Sequence, residues 1–172
     1  MLDAAWESGI RHYDTAPHYG LGLSERRLGG AFLQTKPRDE YVLSTKAGGR
    51  LLRPNPDHVA GGLDTANDFF VPDDLRRVWD FSAAGIRASL EESRERLGIE
   101  RIDILYLHDP ERHDLDLALA EAFPALEALR ADGQIARIGI GSMTPEALAA
   151  AVRSADLDTI MVAGRYTLLE QP

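Results

Sequence analysis

Residues 102–109, IDILYLHD, are the stretch that decides the fold class. Their apolar run is almost continuous, which is typical of a β-strand buried on both of its faces. A helical pattern with one apolar face precedes this stretch over residues 79–97 and stops at Gly98. A second helical pattern follows over residues 115–130, where Pro124 is expected to kink or divide it. A doubly buried strand between two helices predicts parallel βαβ units.

The same alternation of strands and helices extends towards both ends of the chain. With five predicted strands, the order suits either a doubly wound sheet or a (β/α) barrel. Residues 47–78 are rich in Gly, Pro and Asp with little periodicity, so we predict a long structureless loop, of a kind that is usually functional or mobile. The other predicted elements are a helix at 2–8, a strand at 10–14, a helix at 24–34 capped by Ser24, strands at 40–46, 134–142 and 157–166, and a helix after the Thr144 cap.

The composition predicts one soluble globular domain and argues against two classes of partner. Hydrophobic residues make up 44% and charged residues 27% of the 172 residues, a length that can bury a sizeable core. With 19 Lys and Arg against 28 Asp and Glu, the formal net charge is −9. We therefore expect neither nucleic acid nor an anionic membrane as a partner.

The cysteine count and the apolar runs add further exclusions. A chain with no cysteine has no disulfide, no thiolate metal site and no cysteine nucleophile, which fits a reducing, cytoplasmic location. No apolar run approaches the length needed to span a bilayer, and the N-terminal residues lack the pattern of a signal peptide.

Three titratable side chains stand at or just beyond the ends of predicted strands. They are Asp14, Lys46 and His108. The carboxyl ends of parallel strands lie on one side of a sheet or barrel, so we expect these side chains to converge on one site. Tyr19 follows Asp14 closely enough to fold over the same mouth. Each residue alone has a structural explanation, such as a turn cap or a half-buried ring, but the joint placement predicts a functional site.

Such a set can move a proton at a carbonyl or alcohol oxygen without a metal. A phenol has a reference pKa of about 10, and a nearby ammonium group favours the ionised form. Lys46 can supply that ammonium group, and Asp14 can keep it charged by pairing with it. His108 can donate a hydrogen bond to a carbonyl oxygen and so orient it. We therefore predict a general acid–base centre in which Tyr19 carries the proton.

Three short segments resemble a known family. Residues 14–20 (DTAPHYG), 44–49 (STKAGG) and 106–110 (YLHDP) resemble the aldo-keto reductase superfamily, and the likeness runs through nearly the whole chain. The resemblance implies an α/β fold of the (β/α)8 TIM-barrel type, NAD or NADP as cofactor, and a small carbonyl or sugar substrate. It also implies site roles: Asp14, Tyr19, Lys46 and His108 as catalytic residues, Tyr19 and His108 as substrate-binding residues, and Asp14 and Ser142 as cofactor-binding residues.

Two further segments narrow the resemblance to one branch of the family. Residues 69–82 (FFVPDDLRRVWDFS) and 162–171 (VAGRYTLLEQ) look like the sugar-oxidising group of D-threo-aldose 1-dehydrogenases and L-fucose dehydrogenases. That likeness implies oxidation of a cyclic aldose at C1 to a lactone, with Tyr19 as the base. The alternatives are a reductase of small aldehydes or ketones, which uses the same residues in the other direction, and a non-catalytic barrel that binds a partner.

The chain departs from the family pattern in two contacts and in length. Met143 follows Ser142 where the family often has Asn, and Ala163 stands where it often has Gln, which leaves the contacts to the nicotinamide carboxamide open. The sequence has no counterpart of the first, seventh or eighth barrel strand. We therefore expect a single partial barrel domain over residues 1–172, belonging to a longer protein and unstable or inactive by itself.

Histidine and aromatic side chains outside the main set carry weaker hypotheses. His12 and His18 could suggest a metal pair, but their spacing and the lack of further ligands favour packing, and we predict no metal site. Three aromatic residues, Phe69, Phe70 and Trp79, could line a sugar pocket or anchor the long loop.

Overall fold

The computed structural model describes residues 1–57, 59, 61–165 and 167–169. Its strands are β1 (His12–Asp14), β2 (Val42–Ala47), β3 (Gly49–Leu52), β4 (Arg76–Trp79), β5 (Ile102–His108), β6 (Ile135–Ser142) and β7 (Thr159–Val162). Its α-helices are α1 (Leu2–Glu7), α2 (Leu23–Gly29), α3 (Ala83–Leu97), α4 (Leu115–Leu117), α5 (Phe123–Ala131) and α6 (Pro145–Ser154).

Five of these strands form one parallel sheet in the order β1-β2-β5-β6-β7. Strand β5 lies at the centre and is buried along its whole length, as its apolar run predicts. In the observed register Lys46 lies opposite Tyr106 and His108 lies opposite Gly141, so the carboxyl ends of the three central strands share one edge. The sheet is the curled, parallel half of a (β/α)8 barrel, which confirms the predicted α/β fold class.

The outer strands of this sheet are shorter than predicted. Strand β1 covers the last part of the predicted strand at 10–14, and β7 covers only part of the predicted strand at 157–166. Tyr166, at the predicted end of the last strand, lies outside the described residues. In this sheet β1 and β7 each pair on one side only, so fewer hydrogen bonds extend them.

Helix α3 shows how caps set the helix limits. Gly98 ends the helix with φ 62, a left-handed conformation that glycine adopts most easily, and this confirms the predicted stop. The predicted start at Trp79 is wrong, because Trp79 belongs to β4. The Ser82 hydroxyl accepts a hydrogen bond from the Gly85 amide at 3.1 Å, which caps a helix beginning at Ala83.

The hydrophobic core lies between the parallel sheet and the helices on its outer side. Helix α3 packs against β2 and α5, and α5 packs against β6. The buried face of α3 presents Ile86, Leu90 and Leu97, the residues that the helical periodicity assigned to it. Burial of this stripe fixes the helix on the sheet and leaves the carboxyl edge of the strands uncovered by it.

The described residues between β2 and α3, which are 48–57, 59 and 61–82, lie outside the parallel sheet, and we refer to them as the excursion. The excursion contains β3 and β4, which pair in antiparallel register with Gly49 opposite Trp79. It also contains a 3₁₀ turn at Thr65–Asn67 and an isolated bridge between Leu63 and Pro72. The prediction of a structureless loop over 47–78 is therefore wrong. Short strands that pair across a long separation leave little periodicity in the sequence.

The turn before α2 replaces the predicted cap. Gly22 occupies the N-cap position of α2, and the Ser24 hydroxyl lies 2.8 Å from the Thr15 hydroxyl instead of capping the helix. Gly20, Leu21 and Gly22 have φ values of 58, 49 and 78. Three successive left-handed residues form a tight turn in which glycine is favoured at two positions and Leu21 carries a conformational cost.

The helix predicted over residues 115–130 is divided, as Pro124 indicated. A π-helical turn over Ala118–Ala122 separates α4 from α5. Pro124 falls in the first turn of α5, where its missing N–H removes no hydrogen bond of that helix. Within the described part of the chain, no helix is long and apolar enough to cross a membrane.

Candidate active site

The carboxyl edge of the parallel sheet opens into a cleft of about 780 Å³. Tyr19, Lys46, His108 and Ser142 all line this cleft. Asp14 is the last residue of β1 and reaches the same place through its contact with Lys46. The structure thus brings together every residue that the sequence assigned to the site.

Lys46 is the centre of the polar contacts. Its side chain is 2% exposed, and its Nζ donates to Asp14 Oδ2 at 2.5 Å and to the Thr15 carbonyl oxygen at 2.9 Å. The ammonium group also lies 4.7 Å from the centre of the Tyr19 ring. A buried ammonium needs a counter-charge, and the Asp14 carboxylate supplies it. The positive charge of this pair therefore stands beside the phenol ring.

Asp14 is itself oriented by a residue that sequence reasoning missed. Ser44 Oγ donates to Asp14 Oδ1 at 2.7 Å, and His12 Nε2 lies 3.2 Å from the same hydroxyl. Ser44 precedes Lys46 by two positions on β2, and His12 precedes Asp14 by two on β1. Residues two apart on a strand share a face, so this spacing was a signal that could have found both.

His108 faces Tyr19 with a neutral imidazole. The two ring centres lie 5.8 Å apart in an edge-on arrangement. The pKa of His108 is lowered from 6.5 to about 2, chiefly by burial and secondly by the positive charge of Lys46. Its Nδ1 is buried and finds no hydrogen-bond partner among the described residues. The residue lines the cleft, so its imidazole ring stands where a polar ligand could contact it.

A second histidine, His18, packs against His108 and lines the same cleft. Its ring lies 5.4 Å from that of His108 and 4.8 Å from that of Trp79, and its side chain is buried. Burial lowers the pKa of His18 to about 4, with a further contribution from the positive charge of Arg77. The sequence analysis weighed a metal pair of His12 and His18 and favoured packing; in the structure His12 Nε2 lies 3.2 Å from the Ser44 hydroxyl. Among the described residues, no group of three His, Cys, Asp or Glu could hold a metal ion.

Ser142 ends β6 with its hydroxyl group already engaged by two neighbours. Its Oγ donates to Glu111 Oε1 at 2.5 Å and accepts from the Thr144 amide at 2.9 Å. A hydroxyl group has one hydrogen and two lone pairs, so one lone pair of Ser142 is left for a ligand. Ser142 can therefore accept a hydrogen bond from an amide N–H in the cleft. Glu111, which the sequence did not single out, fixes the direction of that lone pair.

The excursion forms the opposite wall of the cleft. Phe69 and Trp79 line the cleft, whereas Phe70 is 83% exposed and lies outside the lining. Two charged residues, Asp64 and Arg77, form a salt bridge in the same wall. Because this wall combines aromatic rings with charged and amide groups, it offers both stacking surfaces and hydrogen-bonding groups to a polar ligand.

A parallel β/α scaffold with titratable side chains gathered at the carboxyl ends of its strands defines the class of (β/α)-barrel enzymes. The sequence profile of the aldo/keto reductase family matches residues 1–172, and the chain belongs to that family. The match confirms the resemblance that the three short segments carry.

Two curated relatives match nearly the whole chain, and their names give different substrates. It is 76% identical over 172 residues to a D-threo-aldose 1-dehydrogenase of Pseudomonas sp, covering 100% of the chain and 52% of that protein. It is 38% identical over 190 residues to a pyridoxal 4-dehydrogenase of Microbacterium luteolum, covering 99% of the chain and 53% of that protein. The chain spans about half the length of these relatives.

A solved structure shows the same fold with a nicotinamide cofactor bound. The aldo/keto reductase from Klebsiella pneumoniae in complex with NADP and acetate superposes with a TM-score of 0.62 at 27% identity. The match covers 90% of this chain and 42% of that one. The observed half-barrel is thus a substructure of a larger aldo/keto reductase barrel.

Proposed function

We propose that the protein containing this chain oxidises an aldose at C1 to a lactone with NAD or NADP, and that Tyr19 is the general base. The observation that carries the proposal is the cluster around Lys46, in which a buried ammonium paired with Asp14 stands beside the Tyr19 ring. This arrangement places a positive charge beside the phenol that we propose takes the proton. The 76% identity to a protein named D-threo-aldose 1-dehydrogenase supports the choice of substrate class.

The proposed chemistry assigns one task to each side chain. The Tyr19 phenolate takes the proton of the C1 hydroxyl while the C1–O bond becomes a carbonyl. When bound, the oxidised nicotinamide cofactor supplies the two-electron acceptor for the hydrogen that leaves C1. His108, neutral at physiological pH, donates a hydrogen bond to the sugar oxygen and orients it. Lys46 brings its charge to the Tyr19 ring, and Asp14 supplies the counter-charge of the lysine.

The residues at the carboxyl edge fit a nicotinamide group. Ser142 has one free lone pair, which suits the N–H of a carboxamide, and it lines the same cleft as Tyr19 and His108. Asp14, at the end of β1, is the second residue that we propose on the cofactor side. The family often has Asn where this chain has Met143, so the Ser142 hydroxyl is the polar group left at the end of β6. Its hydrogen bond to Glu111 orients it.

The test starts with the intact mass of the protein isolated from its source, followed by assays of the complete product of the gene. We expect NAD(P)⁺-dependent oxidation of aldoses and a fall in turnover of about a thousandfold in Tyr19→Phe, with cofactor affinity nearly unchanged. Tyr13→Phe is the matched control, because it removes a phenol that donates to the Ile10 carbonyl oxygen at 3.0 Å, away from the cleft.

Two outcomes would replace this function by one of the alternatives. Faster turnover of small aldehydes or ketones with the reduced cofactor than of any aldose would favour a reductase. Cofactor binding without turnover of any carbonyl or sugar in the panel would favour a non-catalytic barrel. Turnover that survives in Tyr19→Phe would rule out the proposed base whatever the substrate is.

A further inference from the structure

Arg77, on β4 of the excursion, contacts the segment that carries Tyr19. Its Nη2 donates to the carbonyl oxygen of His18 at 2.8 Å, one residue before Tyr19 in the chain. This is a contact between the cleft wall and the backbone that holds the proposed base. Residues 18 and 77 are far apart in sequence, so this contact fixes the position of the excursion relative to residues 16–24, which we call the tyrosine segment.

The tyrosine segment depends on contacts from outside because its own geometry is irregular. Tyr19 is followed by three left-handed residues, and the third lies directly before α2. Leu21, with φ 49 and a side chain that is only 2% exposed, is held in a conformation that a leucine rarely adopts. Such a turn persists when the surrounding structure holds it in place. The Arg77 contact is part of that surrounding structure.

Asp64 holds the guanidinium group of Arg77 in a fixed direction. Arg77 Nη1 donates to Asp64 Oδ1 at 2.8 Å, and Nη2 donates to Oδ2 at 2.5 Å. The side chains are 8% and 17% exposed, and Asn67 Nδ2 donates to the same carboxylate at 2.7 Å. Nη2 has two hydrogens, so one serves the carboxylate and the other points at His18.

The Asp64–Arg77 pair is suited to hold a neutral backbone group beside the acid–base cluster. The carboxylate compensates the charge of the arginine, so the contact with the His18 carbonyl adds little net charge near His108. The planar guanidinium group makes both contacts at once, which the ammonium group of a lysine cannot reproduce with the same geometry.

We propose that Arg77, fixed by Asp64, is a positioning residue that holds Tyr19 in its reactive orientation through the backbone of His18. The proposal rests on the proposed function for its effect on turnover. Its effect on the tyrosine segment is independent of any activity. A displacement of a reacting group by about 1 Å can cost about a hundredfold in rate, so loss of this contact should slow the chemical step.

The experiment compares Arg77→Lys and Arg77→Met with the unaltered complete gene product. Two quantities are measured: turnover of an aldose with its C1-deuterated form, and hydrogen exchange of the peptide covering residues 16–24. We expect kcat to fall by about tenfold in Arg77→Lys and about a hundredfold in Arg77→Met, while KM and cofactor affinity change by less than about threefold. The deuterium isotope effect on kcat should rise, and amide exchange in residues 16–24 should accelerate.

The matched control is Arg130→Lys, on the far side of the molecule. Arg130 also makes two charged contacts, with Asp158 at 2.8 Å and Asp156 at 3.0 Å, and it does not line the cleft. We expect this variant to keep the isotope effect and the exchange of residues 16–24. It therefore separates a loss of stability from a loss of positioning.

Each arm of the experiment gives a decisive result. Unchanged exchange of residues 16–24 in both Arg77 variants would overturn the positioning role, whether or not the protein turns over sugars. Faster exchange with an unchanged isotope effect and kcat would also overturn it, because Tyr19 would then not depend on the contact. Faster exchange in a protein that oxidises no sugar would contradict the proposed function and leave the structural contact established.

Discussion

The two ends of the parallel sheet each hold an aspartate bound to cationic side chains, and their surroundings differ. At the amino end, Asp103 accepts from the Leu43 amide at 2.8 Å, from Arg38 at 2.6 Å and from Arg101 at 3.1 Å. At the carboxyl end, Asp14 holds Lys46, and the cluster includes buried imidazole nitrogens of His18 and His108 without described partners.

The same strands carry stabilising contacts at their amino ends and the candidate site at their carboxyl ends. Asp103 has donors on both carboxylate oxygens and ties β2 to β5, so its contacts favour the folded chain. Arg38 Nε at the amino end is buried without a described partner, but the carboxyl end has two such imidazole nitrogens and a left-handed turn, all of which cost folding free energy. A barrel can carry that cost at one end because the other end and the core stabilise the strands.

Among the substitutions that compare the two ends of the sheet, Lys46→Met should have the largest effect, a loss of turnover. Removal of the ammonium group takes away the positive charge beside the Tyr19 ring, so turnover should fall by about a hundredfold or more. Asp14 keeps its bond to Ser44 and is partly exposed, so the loss of stability should be small. Steady-state kinetics and urea unfolding measure the two effects. Lys36→Met, at the other lysine of the chain, is the control and should leave turnover unaltered.

The comparison predicts the opposite result for Asp103→Asn. Loss of this buried carboxylate leaves Arg38 and Arg101 short of an acceptor, and the free energy of unfolding should fall by about 2 kcal/mol. The value of kcat should stay within about twofold of the unaltered protein, since Asp103 lies at the far end of the strands. Chemical denaturation and kinetics on one preparation would check both. A large fall in kcat would show that the two ends are not separable.

The buried histidine at the carboxyl end predicts a dependence of stability on pH. The pKa of His108 is about 2 in the folded protein and 6.5 when unperturbed, as in the unfolded chain. Between these two pH values the unfolded chain binds a proton that the folded chain does not. Stability from this group is complete above pH 6.5 and is lost as the pH falls. Between pH 6 and pH 5 the loss is about 1 kcal/mol.

Urea unfolding of the unaltered protein and of His108→Gln at the two pH values checks this expectation. Between pH 6 and pH 5 the variant should lose about 1 kcal/mol less stability than the unaltered protein. Carboxylate titrations contribute equally to both proteins and cancel in the difference. Identical pH dependences would mean that His108 is protonated in the folded state, and the proposed hydrogen-bond role would then need a charged donor.

The smallest effect belongs to the surface of the amino end. Asp39 contacts Arg101 at 2.7 Å but is 91% exposed, so solvent screens this pair. We expect Asp39→Asn to change the free energy of unfolding by less than about 0.5 kcal/mol. The same denaturation experiment measures this free energy. If Asp39→Asn lowered it as much as Asp103→Asn does, the exposed Asp39–Arg101 pair would be what stabilises the amino end.

Sequence patterns predicted the parallel sheet because its signals are local. The apolar run of β5, the periodicity of α3 and the stop at Gly98 each lie within one element. Strands β3 and β4 were missed because each is short and its partner lies far along the chain. Trp79 was assigned to a helix for the same reason, since its strand partner Gly49 cannot be seen in the local pattern.

The candidate site was predictable to the extent that it depends on strand ends. Asp14, Lys46 and His108 follow from topology alone, since parallel strands bring their carboxyl ends together. Their catalytic roles stay predictions until the variants are made. Glu111 and Arg77 were not predicted, because each acts from a segment outside the central sheet whose path depends on tertiary packing.

Two of the contacts that hold the site end on backbone carbonyl oxygens. Lys46 donates to the carbonyl of Thr15 at 2.9 Å, and Arg77 donates to that of His18 at 2.8 Å. Every residue type carries this acceptor, so exchange of the side chains at 15 and 18 leaves both contacts possible. Substitutions at the donor positions would therefore show no matching change at the acceptor positions. Among diverged sequences, these two couplings would leave no trace of covariation.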